Sequence, residues 1–223
     1  MTTATTAGLP ALPVLPVLPS LESVLPGGLP RGQTVTVSGS VSLLLALLAG
    51  PSADGAWCAL VDLPPRAPGA VAVNAEALAG LGLVLDRVVV VRAPAGGWSR
   101  ASWVTTVGAL VDAFDVVAVR PETRPAAGDV QRLAARVRSR GAVLVPYLTG
   151  GQSWPGGAIR LRAEVSTWSG LEGDGGGRLR RRQTTVVADR RGHEIRPRTA
   201  SLWLPGPDGA VGSDASPALG VVG

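Results

Sequence analysis

QTVTVSGSVSLLLALLAG, residues 33–50, is the stretch from which the rest of the chain is read. Val35 and Val37 alternate with Thr34 and Thr36, the period-2 pattern of a strand. Ser38-Gly39-Ser40 makes a turn, and residues 41–49 are almost all apolar, as in a buried helix. Strand, glycine turn, buried helix is the order in which a nucleotide-binding α/β protein places its phosphate loop. A Walker A motif starting at Gly39 would require Gly at 44, Lys at 45 and Ser or Thr at 46. The chain has Leu44, Leu45 and Ala46 there, and all 21 of its basic residues are Arg. The frame of an ATPase is present without its chemical groups.

A length of 223 residues suits one domain with a large core. Apolar residues make up 46% and mean hydropathy is +0.29, as expected for an α/β protein with a buried sheet. A lone cysteine, Cys58, excludes an internal disulfide and fits a reducing compartment. No run approaches the roughly 18 consecutive apolar residues of a membrane helix. The N-terminus lacks a basic region ahead of its apolar residues, so the expectation is a cytoplasmic protein with no membrane partner. Residues 1–119 carry 5 Arg against 7 acids, whereas residues 120–223 carry 16 Arg against 9. That asymmetry points the C-terminal half at an anionic partner.

Residues 1–24 read as a proline-rich tail, with Pro10, Pro13, Pro16 and Pro19 setting a period near three. A domain over 25–204 and a Gly/Pro/Ala-rich, disordered tail over 205–223 follow. Strands are expected at 56–62, 87–91, 116–119 and 142–147, with helices at 74–81, 98–114 and 128–140 between them. Asn74 is placed to cap the first of these helices and Gly141 to stop the last. Such alternation indicates βαβ units and a mainly parallel α/β sheet flanked by helices. Residues 159–168, 179–189 and 199–204 alternate polar and apolar positions and read as antiparallel strands added at the C-terminal side.

LPGGLPRG at 25–32, the strand ending at Gly39, WCALVD at 57–62, FDVVAV at 114–119 and GAVLVPYL at 141–148 follow one another in a telling order, before the hairpin of residues 159–187. In that order and spacing the chain resembles the RecA recombinase core over roughly residues 25–204. The resemblance implies a nucleotide site that has degenerated. The phosphate-binding Lys-Thr falls on Leu45-Ala46, the catalytic glutamate on Pro64 and the metal-associated aspartate on Arg120. Each loss removes a different function, respectively phosphate neutralisation, orientation of the attacking water and support of Mg²⁺. The resemblance thus implies a pseudo-ATPase with no cofactor.

Within RecA-like chains, one of this size without lysine and with a dead phosphate loop is similar to the ImuA-prime type of actinobacterial mutasome accessory protein. That resemblance implies a role in SOS-induced, error-prone translesion synthesis. The implied partners are an ImuB-like Y-family polymerase homologue and, indirectly, a DnaE2-type polymerase. A SulA-like cell-division inhibitor that binds FtsZ, and a stand-alone single-stranded-DNA-binding module, stay open beside it, as does a homodimer through exposed edge strands.

Three groups of residues are candidate sites. Arg178, Arg180, Arg181, Arg182, Arg190 and Arg191 concentrate charge that could follow DNA phosphates or meet an acidic partner, or could simply be solvated edge charges. Trp154, in the Gly-rich stretch 148–157, could stack on a base, anchor in a partner or fold back on its own domain. His193 is the only histidine, and without Cys or clustered carboxylates it makes a poor metal site.

Overall fold

The computed structural model describes residues 13–63, 74–121, 124–171, 177–191 and 196–213. Its elements run β1 (Val14–Leu15), β2 (Leu29–Pro30), β3 (Val35–Ser38), α1 (Val41–Ala53), β4 (Cys58–Val61), α2 (Ala75–Gly80), β5 (Val88–Val91) and α3 (Arg100–Ala113). There follow β6 (Val116–Val119), α4 (Ala127–Arg140), β7 (Val143–Leu148), β8 (Ile159–Leu171), β9 (Gly177–Arg190), β10 (Arg198–Trp203) and β11 (Gly212–Ser213). β1 and β2 form a small ladder of their own. The other nine strands make one sheet in the order β11-β10-β9-β8-β3-β7-β6-β4-β5.

The fold is α/β, as the alternating strand and helix patterns predict. From β8 to β5 the neighbours are parallel; from β8 outward through β9, β10 and β11 they are antiparallel. Side chains alternate across the sheet. Val35, Val37, Leu60, Val145 and Leu161 join the core on the α1 side. Ala59, Val61, Val117, Val119 and Leu144 join a second core with residues of α3 and α4. Both faces of β4, β6 and β7 are thus covered, which is why they read as apolar runs, whereas edge strand β5 leaves Val89 and Val90 exposed.

α1 is buried from Leu43 to Ser52, and this accounts for its lack of a polar face. α4 is the contrasting case, with Val130, Leu133 and Val137 buried and its arginines outward. Gly141 ends it in the left-handed conformation at φ +67, and Asn74 caps α2 by accepting from the Ala77 N–H at 2.6 Å. No helix among the described residues is long and apolar enough to cross a membrane.

Two boundaries differ from expectation. Residues 13–24 are built into the domain and do not lie outside it as a tail, with Leu15, Val17, Leu21 and Val24 all buried. The extended run to Leu18 and the short 3-10 turn at Pro19–Leu21 turn Leu15, Val17 and Leu21 inward, so the prolines that suggest a tether also punctuate an apolar stripe. That stripe closes on α1 where Gly50 leaves room; a β-carbon there would sit 2.7 Å from the Pro16 carbonyl oxygen. At the other end, residues 205–213 continue the sheet. β11 pairs with β10, and the Pro205 carbonyl accepts from the Arg182 N–H at 2.8 Å.

Candidate functional site

The turn between β3 and α1 is tightly filled. Gly39 has φ +82, and a β-carbon on it would overlap the carbonyl oxygen of Ala163 in β8. Ser40 caps α1, its hydroxyl accepting from the Leu43 N–H at 3.2 Å, and itself accepts from Arg182 Nη1 at 3.1 Å. Leu45 and Ala46 are buried in the α1-side core. Where the resemblance places the phosphate-binding pair, the chain therefore has packing residues.

Nearby at the C-terminal ends of the strands stand Asp62, Arg120 and Tyr147. Asp62 takes a left-handed backbone at φ 58 and binds the loop after β5, accepting from the Ala93 N–H at 3.3 Å and Trp98 Nε1 at 3.0 Å. Arg120 follows β6 and donates its backbone N–H to Val61 at 3.2 Å. Burial pushes the Tyr147 hydroxyl above its ordinary pKa, while the charges of Arg120 and Arg182 pull the other way. Among the described residues no three His, Cys, Asp or Glu side chains gather as a metal-binding set. Pro64 and His193 lie outside the described residues.

The Gly-rich loop after β7 is stapled to the domain. Gln152 accepts from the Thr149 N–H at 3.1 Å and donates to the Pro121 carbonyl at 3.2 Å. Trp154 is only 6% exposed, and its ring lies 6.4 Å from that of Trp103 in α3. As an anchor presented to a partner, Trp154 is corrected by this burial; the apolar gap between α3 and the loop is the better environment for an indole.

The arginines of β9 divide by strand alternation. Arg182 reaches Ser40, donates to Ser166 at 2.8 Å and lies over the Trp168 ring at 5.7 Å. Arg181 points to the other face, donating to Ser169 at 2.8 Å and covering Trp203 at 5.4 Å. These two side chains are engaged within the domain. Arg180 is exposed, and the Arg178 side chain lies outside the described set. Arg190 and Arg191, at the far end of β9, instead border a groove.

That groove lies on the side of the sheet where α3 and α4 cover β4, β6 and β7 but stop short of β8 and β9. Two hollows of about 510 Å³ each share Thr36, Ser153, Trp154 and Arg160 in their walls. One extends to Arg124, Asp189, Arg190 and Arg191, the other to Arg162 and the Gly39 turn. Arg160 pairs in register with Asp189, and Arg162 reaches Asp189 and Glu164 at 3.3 Å each. Arg124, Arg160 and Arg162 were not singled out by the clustering of charge along the chain. The signal that could have found them is the alternation in residues 159–163, where Ile159 and Leu161 turn to the core and leave both arginines on the opposite face.

With this geometry in hand, the chain can be set against known families. The MT3502 N-terminal domain family matches residues 23–156, more than half of the chain. The chain belongs to that family. The matched span begins ahead of β2 and ends in the loop carrying Trp154, so it holds α1 to α4 and the parallel strands β3 to β7. The arginine-bearing strands β8 to β10, and β11 after them, lie beyond it. No curated protein matches the chain.

Proposed function

We propose that the protein is a non-catalytic adaptor on a RecA-like scaffold, working in damage-induced translesion synthesis. In this reading it binds an ImuB-like polymerase homologue, through it a DnaE2-type polymerase, and DNA as a further contact. The carrying observation is the use of Leu45 and Ala46 as core residues within an otherwise intact strand–turn–helix. A phosphate loop needs backbone N–H groups free to converge on an anion and a lysine to neutralise it. Here Ser40 takes the Leu43 N–H, the Ala163 carbonyl of β8 closes on Gly39, and the chain has no lysine.

Support for a binding role also comes from the basic strands, which extend the sheet and build an open groove lined by arginines. The test is recovery of partners on tagged protein from cells after DNA damage. Translesion polymerase subunits are the expected catch. Recovery of FtsZ, or of no replication protein, would overturn the assignment.

A further inference from the structure

The groove beside β8 carries more positive charge than the domain itself uses. Among the described residues Arg124, Arg160, Arg190 and Arg191 form no ion pair, although each borders the same hollow. Arg124 and Arg160 flank it from opposite sides, one from the segment ahead of α4 and the other from β8. Arg190 shares the α1-side face with its partner Ile159, so Arg124, Arg160 and Arg191 are the cations left to the groove; they repel each other, and an anion placed between them relieves that repulsion.

The shape selects an extended ligand. The two hollows lie side by side, sharing four wall residues with buried Thr36 among them, and together span from Arg191 to the Gly39 turn. A single phosphate or small carboxylate would leave most of this length empty. The chemistry favours a peptide over a nucleic acid. Strand binding without sequence preference relies on exposed aromatic rings for the bases, and the two aromatics here, Trp154 and Tyr147, are buried. Asp189, on the same wall, is already held by Arg162 at 3.3 Å.

We propose that this groove holds an extended acidic segment of a partner protein, its carboxylates paired with Arg124, Arg160 and Arg191. Guanidinium matches carboxylate through paired, charge-assisted hydrogen bonds, so each arginine can fix one acidic side chain. The inference deepens the adaptor reading and rests on it for the kind of partner.

Fluorescence polarisation on the full chain tests it, using a labelled Glu-rich peptide, the same peptide with Gln for Glu, and an oligo-dT strand. The expected result is binding of the Glu peptide, weakening with added salt, and little binding of the Gln peptide. An Arg124→Ala/Arg160→Ala variant should lose about tenfold or more in affinity, the scale of one or two charge-assisted bonds. Arg92→Ala, beyond the opposite edge strand, should bind as wild type does, and unchanged thermal midpoints for all three proteins would exclude misfolding. Oligo-dT binding that falls with the same double substitution would reassign the groove to nucleic acid and overturn the proposal. So would absence of Glu-peptide binding, or binding indifferent to the two arginines. Recovery of polymerase subunits from cells is independent of these outcomes, so the groove can fail while the adaptor reading stands.

Discussion

Arg182 donates to the hydroxyl of Ser40 at 3.1 Å across 142 positions of sequence, joining the second strand of the long hairpin to the cap of the first helix. The bond places a guanidinium at the turn where the resemblance expects a phosphate, and makes the hairpin part of that turn's support. Removing either partner should therefore destabilise the other's element. Arg182→Ala is expected to cost about 1–2 kcal/mol, since it also gives up the bond to Ser166 and the Trp168 contact. Ser40→Ala should cost about 1 kcal/mol as a lost cap. Urea unfolding of the two single variants and the double should give less than their sum, and strict additivity would mean the bond carries no energy.

The Gly39 turn should tolerate substitution far less well than the left-handed Gly55. Gly39 and Gly55 have similar backbone angles, φ +82 and +89, but only Gly39 faces a backbone atom of another strand. Gly55→Ala should therefore cost about 1 kcal/mol, the strain of its conformation. Gly39→Ala must also push β8 away, and is expected to cost on the order of 3 kcal/mol. Equal thermal shifts for the two variants would show that the approach of β8 is unimportant.

Much of this architecture was legible because it rests on local signals. The apolar run of β4, the valine runs of β5 and β6, the amphipathic stripe of α4 and the Gly141 stop each state their structure within a few residues. The N-terminal segment was misread because proline spacing specifies an extended chain without saying what lies beside it; Gly50 in α1 decides that Leu15 and Leu21 are covered. Trp154 is similar, its burial depending on Trp103 some fifty positions earlier. The groove was hidden for a third reason. Arg124, Arg160 and Arg191 are scattered in sequence, and only the parallel pairing of β3 with β8 brings their elements together.

Cys58 should behave as an inert core thiol. It is fully buried in β4, and its pKa is pushed up to about 12, first by burial and then by the nearby Asp115 charge. Only the thiolate reacts, so the native protein should resist a thiol reagent at mildly alkaline pH and react promptly once unfolded in urea. Fast labelling of the native chain would contradict this burial. The raised value also has a sign. Above about pH 8.5 the unfolded thiol ionises while the folded one keeps its proton, so stability should fall as pH rises. Cys58→Ala should remove that part of the alkaline slope.

Acid should act through Asp129. Buried in the first turn of α4, its carboxylate accepts from Arg100 Nε at 2.6 Å and from Arg132, so it ties the N-terminal end of α3 to α4. The Arg100 hydrogen bond is the main reason its carboxyl is held below the usual range; burial opposes the shift, and the charges of both arginines add to it. Because the folded group binds its proton less readily than the unfolded one, its contribution is complete above about pH 4 and disappears as pH falls through the lowered folded value. Asp129→Asn should therefore weaken the protein most at neutral pH and progressively less in acid, where the native carboxyl is itself neutral. Urea midpoints of wild type and variant should converge as pH drops below about 4. A gap that stayed constant down to the acid limit would assign Asp129 a packing role and remove the ion pairs from the account.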